Sequence, residues 1–222
     1  MRISATTLES FRLWQDGDWM REEDLIATIK GETVETEPMR RGTAYHAILE
    51  HPEPRRMLWG GYAYEGVEFE APAIEEMLGR IRRGVFEVKT TKTLLVPGAG
   101  PVTVVAKADH LTGLHIDEFK TTEQFDAEKY LASYQWRVMA LLFEAVSIAY
   151  HVAVVTTDQG RYALKSIESF HVFPYAELET DVRALLKEFC HYVTVRGLDG
   201  ILRERQRWAE SRPVILEGVQ PR

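Results

Sequence analysis

The chain contains one cysteine, Cys190, in 222 residues. A single thiol excludes an internal disulfide and any zinc or iron–sulfur centre held by several cysteines. Long apolar runs are missing as well: nothing approaches the ~18 consecutive apolar residues of a membrane span. The first residues, MRISATTLESFRLW, carry no apolar segment followed by a small-residue cleavage site. No secretory signal is therefore expected, and the expected localisation is cytoplasmic with no membrane partner. Positive charge is not in excess: 27 Lys and Arg stand against 34 Asp and Glu, a formal net charge of −7. This counts against a surface that grips polyanions over its whole extent, but not against a small basic channel on an acidic body. Carboxylates that hold a divalent cation also make such a total more negative, because the ion is not counted. The chain has no Gly-x-x-x-x-Gly-Lys-Ser/Thr loop, so it has no ATPase or helicase motor of that kind, and no Gly-x-Ser-x-Gly nucleophile elbow. His110, His115, His151, His171 and His191 lack metal-ligand spacing.

What is present is ordinary for a globular protein: 45% hydrophobic and 27% charged residues. The length suits one domain with one substantial core, spanning residues 1–222, its central part at about 40–175 and helical extensions at both ends. Periodicity predicts a first helix begun by a Thr6-x-x-Glu9 capping box, with Leu8, Phe11 and Trp14 on one face and a stop at Gly17. Further helices are expected over about 21–30, about 40–50 and 73–83, the second of these ended by Pro52 and Pro54. The segment 57–71 is ambiguous. β-branched runs predict three antiparallel strands, 85–96, 102–110 and 114–120, turning at Pro97-Gly98-Ala99-Gly100 and at Thr112-Gly113. A long helix over about 127–149 follows, then strands over 151–157 and 162–172, helices over about 175–195 and 198–210, and a loose tail from Ser211. The fold class expected is α/β (α+β): a central mixed sheet flanked by helices, the long helix acting as the crossover to the fourth strand.

The chemistry concentrates on two of these strands. Side chains alternate across a strand, so Glu118 and Lys120 share one face while Asp117 and Phe119 share the other. The turn at Thr112-Gly113 returns the second strand alongside the first and brings Asp109 near Glu118. Two carboxylates can hold Mg²⁺, a hard cation that prefers oxygen ligands and keeps several waters. Such an ion acidifies a bound water, and a neighbouring lysine can orient or deprotonate that water or stabilise charge on a phosphate. Taken alone, an Asp…Glu-x-Lys set is more commonly a cross-strand salt bridge. Asp117 offers a competing register, three residues before Lys120, which strand alternation disfavours and a bulge would restore.

The flanking residues add to this. Gly42-x-x-x-His46-x-x-x-Glu50 places His46 and Glu50 four apart on one helix face. Lys107-Ala108-Asp109, then Ile116-Asp117-Glu118-Phe119-Lys120-Thr121-Thr122, then Tyr134-Gln135 follow in order. Together these resemble the RecB-like branch of the PD-(D/E)XK nucleases, and within it the phage-type and RecE-like exonucleases, over about residues 40–140. The last motif is half present, since Met139 stands where the family often has tyrosine. The resemblance implies a restriction-endonuclease-like core. It makes Asp109 and Glu118 metal ligands, with the main-chain carbonyl of Phe119 and the ring of His46 beside them. Lys120 becomes the catalytic lysine and Gln135 a supporting active-site residue. Glu50 stands either as a ligand or as a partner of His46 or Arg55. The implied cofactor is Mg²⁺, with Mn²⁺ able to substitute. The implied substrate is DNA, cut from its ends in recombination, repair or phage DNA processing, because no separate sequence-reading domain remains once the core is assigned. A homo-oligomer and a recombination partner protein are compatible with it. Two rivals stand beside this reading: a catalytically silent module of the same fold that binds DNA or a protein, and an unrelated α/β domain whose strands carry surface salt bridges.

Overall fold

The computed structural model describes residues 1–17 and 19–211. A short strand β1 (Arg2–Ser4) leads into α1 (Ala5–Gln15), α2 (Glu22–Lys30) and α3 (Glu37–Glu50). A tight hairpin, β2 (Tyr62–Tyr64) and β3 (Val67–Phe69), precedes α4 (Ala71–Leu78). Three long strands follow, β4 (Val85–Val96), β5 (Gly100–Thr112) and β6 (His115–Thr122). After α5 (Ala127–Ala132) and α6 (Tyr134–Phe143) come β7 (Ser147–Asp158), β8 (Arg161–Val172), α7 (Leu178–Val195) and α8 (Asp199–Ser211). The loose tail expected from Ser211 falls, from residue 212 onward, outside the described residues.

Among the described residues, all strands join one 8-stranded mixed sheet in the order β1-β5-β6-β7-β8-β3-β2, with β4 pairing the other edge of β5. The β4–β5–β6 meander is antiparallel, and β7 lies parallel to β6 through the helical crossover. This is the expected mixed sheet flanked by helices. Apolar side chains gather in two clusters on its two faces. Ile148, Tyr150 and Val152 of β7 point to the larger one with α1, α6 and α7. Ala153 and Val155 point to the smaller one, with Phe119, α3 and α4. Burying a side chain the size of Tyr150 or Phe119 contributes roughly 2–3 kcal/mol.

Several expectations are corrected. The first helix is capped not by Thr6 but by Ser4, whose Oγ accepts from Thr7 N at 3.1 Å. Pairing of Arg2–Ser4 with Thr103–Val105 extends the chain up to that point, so the helix can only begin after it. The ambiguous segment 57–71 holds the β2–β3 hairpin. The single helix expected over 127–149 is two helices and the start of a strand. Ser133 is extended (φ −60°, ψ 136°), and its hydroxyl caps α6 by accepting from Gln135 N at 3.1 Å. Glu144 adopts a left-handed backbone (φ 53°) that ends α6. The apolar run that follows belongs to β7, which is covered on both faces. Such a strand has no polar alternation and reads like a buried helix.

Candidate active site

The sheet opens at one place. Along one edge of β5, residues 103–105 pair with β1 and residues 110–112 pair with β6, leaving 106–109 outside either ladder. The register of the β5–β6 pair puts Asp109 across from Glu118, where the ladder stops. In place of main-chain pairing, the carboxylates take the free amides: Asp109 N donates to Glu118 Oε1 at 3.2 Å, and Phe119 N donates to Asp109 Oδ2 at 3.0 Å. Buried amides must be satisfied, so this exchange holds both carboxylates at the notch between the strands. Glu118 is 0% exposed and Asp109 6% exposed. Lys120 completes the group, with Nζ 2.7 Å from Glu118 Oε2 and 3.4 Å from Asp109 Oδ2.

His46 arrives from α3 on the opposite layer. Its Nε2 lies 2.7 Å from the Phe119 carbonyl, which can only accept, so Nε2 carries the proton; Nδ1 lies 3.3 Å from Asp109 Oδ1. Two buried anchors set this helix in place. Tyr45 Oη donates to Ala73 O at 3.0 Å, and Arg41 reaches the end of β6, with Nε 3.3 Å from Thr121 Oγ1 and Nη1 2.9 Å from Glu123 Oε1. One turn before His46, a Cβ added at Gly42 would meet nothing within 4 Å, so the helix face leading to the site is open.

The charges separate the two acids. Burial and the neighbouring Asp109 charge push Glu118 up to about 7, against the pull of Lys120 and the Asp109 amide. Burial would raise Asp109 too, but Lys120, His46 and the Phe119 amide outweigh it and hold Asp109 below the ordinary carboxylate range. Burial opposes the charge on Lys120, yet Asp109 and Glu118 more than compensate and raise its pKa, so its proton is firmly held. For His46, burial opposes the charged ring and the charge and hydrogen bond of Asp109 reverse the balance, for a net rise.

Asp117 points away from this group. It is 4% exposed, and it accepts from His110 Nδ1 at 3.0 Å, with His151 Nε2 at 3.5 Å and Arg82 Nη2 at 3.7 Å. Alternation along β6 thus places Glu118 with Lys120 and Asp117 behind the sheet. Glu50 and Gln135 contribute no hydrogen bond to this group among the described residues. Glu50 turns to its neighbour His51, with Oε1 3.8 Å from Nε2. Gln135 lies in the first turn of α6, half-buried, its main-chain amide bound to Ser133. Among the described residues, the hydrogen bonds of the group run between His46, Asp109, Glu118, Phe119 and Lys120.

One residue was missed. His46, Glu87 and Asp109 each offer a ligand atom, and the three atoms lie within 4.8 Å of one another. Glu87 comes from β4, where its backbone is left-handed (φ 58°) and its carboxylate pairs with Lys107 Nζ. A non-glycine residue in that conformation costs about 1–2 kcal/mol, whereas a half-exposed ion pair returns ~1 kcal/mol at most. The signal was in the turn. A hairpin that pairs Val96 with Gly100, counted back along both strands, sets Glu87 across from Asp109.

No family model matches this chain, and no curated protein matches it. Among solved structures it is similar to SSO0001, at 15% identity over 88% of this chain and 75% of that one, with a TM-score of 0.49. It is also similar to LHK-Exo in complex with dAMP, at 13% identity over 94% and 93% of the two chains, TM-score 0.44. A further likeness is to an alkaline exonuclease (LHK-Exo) from Laribacter hongkongensis, at 15% identity over 94% and 93%, TM-score 0.40.

Proposed function

We propose that this chain is a metal-dependent phosphodiesterase of the PD-(D/E)XK type. More particularly, it is a deoxyribonuclease that removes nucleotides from DNA ends, in recombination, repair or phage DNA processing. The observation that carries the reading is the group at the β5–β6 notch: two buried carboxylates, a lysine shared between them, and a histidine and a main-chain carbonyl on the far side. A salt bridge for stability alone would not need two buried acids forced together, one of them pushed up to about 7 by the other and by burial. Asp109, Glu118, the Phe119 carbonyl and His46 form a donor set of hard oxygens with one imidazole, which fits Mg²⁺ and accepts Mn²⁺. Bound there, the ion supplies the acidification of a water and a counter-charge for the phosphate.

The protein's own groups do the rest. Asp109 and Glu118 converge from two strands whose amides fix their orientation, so little rearrangement is needed to bind. Lys120 holds its proton against both acids, so its role is that of a charged donor to the phosphate or the attacking water, not a base. The open face of α3 at Gly42 gives the backbone of a nucleic-acid strand room to approach His46. Among the described residues every strand belongs to the one sheet, with helices packed on it. Among these residues no separate sequence-reading module stands beside the core, which favours cleavage at ends.

End-labelled linear duplex incubated with Mg²⁺ or Mn²⁺ should lose its label, closed circular DNA should survive, and EDTA should stop the reaction. Cleavage undiminished by EDTA, or none with either ion, rejects the proposal. The raised Glu118 pKa adds a pH signature. Its proton must leave before it can ligate, and so must the second proton of a charged His46 ring, so Mn²⁺ affinity should rise by at least about tenfold per pH unit below neutrality and flatten once both groups have lost them. In the ion-free protein the sign is opposite. The stability linked to Glu118 is fully present below its unfolded value near 4.5 and is lost as pH rises through about 7. Calorimetric titration and thermal melts across that range read both slopes; an affinity that falls with rising pH contradicts the assignment.

A further inference from the structure

We infer that Glu87 is a third carboxylate ligand of the same divalent cation, supplied by β4 and held in reserve by Lys107. The inference rests on the nuclease reading and extends its ligand set to a strand that carries none of the motif residues. The register on either side, Phe86 with His110 and Val88 with Ala108, puts Glu87 directly across from Asp109. Facing residues of an antiparallel pair point to the same side of the sheet. There a ligand atom of Glu87 lies within 4.8 Å of those of His46 and Asp109. That spacing allows one ion to touch all three, since a hard cation holds its oxygens at about 2.0–2.6 Å. The ladder between β4 and β5 is interrupted at this pair alone, and the interruption coincides with the left-handed backbone of Glu87. An ion pair to the half-exposed Lys107 does not offset that strain, whereas a bound cation would.

Asp109 Oδ1 faces His46, while Lys120 and the Phe119 amide occupy Oδ2. The two oxygens of Asp109 thus serve two sides of the site. Glu87 and His46 each bring a ligand atom to Asp109. Lys107 neutralises Glu87 until an ion enters and then swings to solvent. Three carboxylates with one imidazole select a hard divalent ion over a thiophilic one.

Binding itself tests this. Protein freed of metal by EDTA dialysis is titrated with Mn²⁺, and free Mn²⁺ is followed by its paramagnetic resonance signal. Glu87→Gln should weaken Mn²⁺ binding by about tenfold or more, with the melting temperature in EDTA unchanged or slightly raised. Lys107→Met should tighten binding in the wild-type background and have no effect when combined with Glu87→Gln, because the lysine competes with the ion only through that carboxylate. Should Glu87→Gln fold poorly, Glu87→Asn serves, since asparagine tolerates the left-handed backbone. Mn²⁺ binding by a folded Glu87 variant within twofold of wild type overturns the inference and leaves the nuclease reading intact. A wild-type protein that takes up no Mn²⁺ overturns both.

Discussion

Lys120→Ala should lose DNA cleavage by roughly 10²–10³-fold, the cost of removing one preorganised donor from developing charge. Its Nζ sits 2.7 Å from Glu118 and 3.4 Å from Asp109, with both acids buried, so the substitution also removes the only cation bonded to Glu118 among the described residues. Two consequences follow, and they separate a catalytic role from a structural one. Without metal, the variant should melt at a lower temperature, because a buried charge left unpaired is costly, though Glu118 limits the damage by taking up a proton. With saturating Mn²⁺ the melting temperature should recover, since the ion replaces the missing positive charge. Cleavage should not recover with it. Single-turnover rates on end-labelled duplex, with melts in EDTA and in Mn²⁺, give the three readings. A rate within a few-fold of wild type removes Lys120 from the mechanism.

A larger contrast is expected between two adjacent acids. Glu118→Gln should lose activity by several orders of magnitude, because a lost metal ligand takes with it several kcal/mol of charge stabilisation. The same variant should keep or gain stability in EDTA. Burial and the Asp109 charge already work against an ionised Glu118, so a neutral amide of the same shape relieves them. Asp117→Asn should show the reverse pattern. It lies behind the sheet with His110, His151 and Arg82, so its loss should cost about 1–3 kcal/mol of stability and leave the rate within about tenfold of wild type. Melts and rates measured on both variants decide the register. An inactive, well-folded Asp117→Asn beside an active Glu118→Gln would move the metal ligand by one residue.

The β5–β6 pair was the most legible part of the molecule. Alternation of side chains and a two-residue turn are local properties, and they placed Glu118 and Lys120 together, with Asp117 on the other face, before any packing was known. The strands of the meander were legible for the same reason. Local rules failed where an element's surroundings decide its conformation. The residues after Glu144 read as helix because a strand buried on both faces loses its alternation. Glu50 matched a motif position, but a motif records spacing and not direction; the structure turns Glu50 to His51.

Composition and local pattern by themselves determined that the chain builds a mixed sheet with helices, without disulfides, and that acids and a lysine converge on one strand pair. Only the tertiary structure decided how the pair becomes a site. β1 and β6 share one edge of β5 and leave the notch at Asp109 between them, so the carboxylates bind amides that a regular ladder would have used. α3 must cross the sheet for His46 to meet Asp109, and β4 must pair through the full length of its hairpin for Glu87 to face it. These are contacts between segments far apart in the chain. They are set by which surfaces bury one another, and no window along the sequence contains both partners.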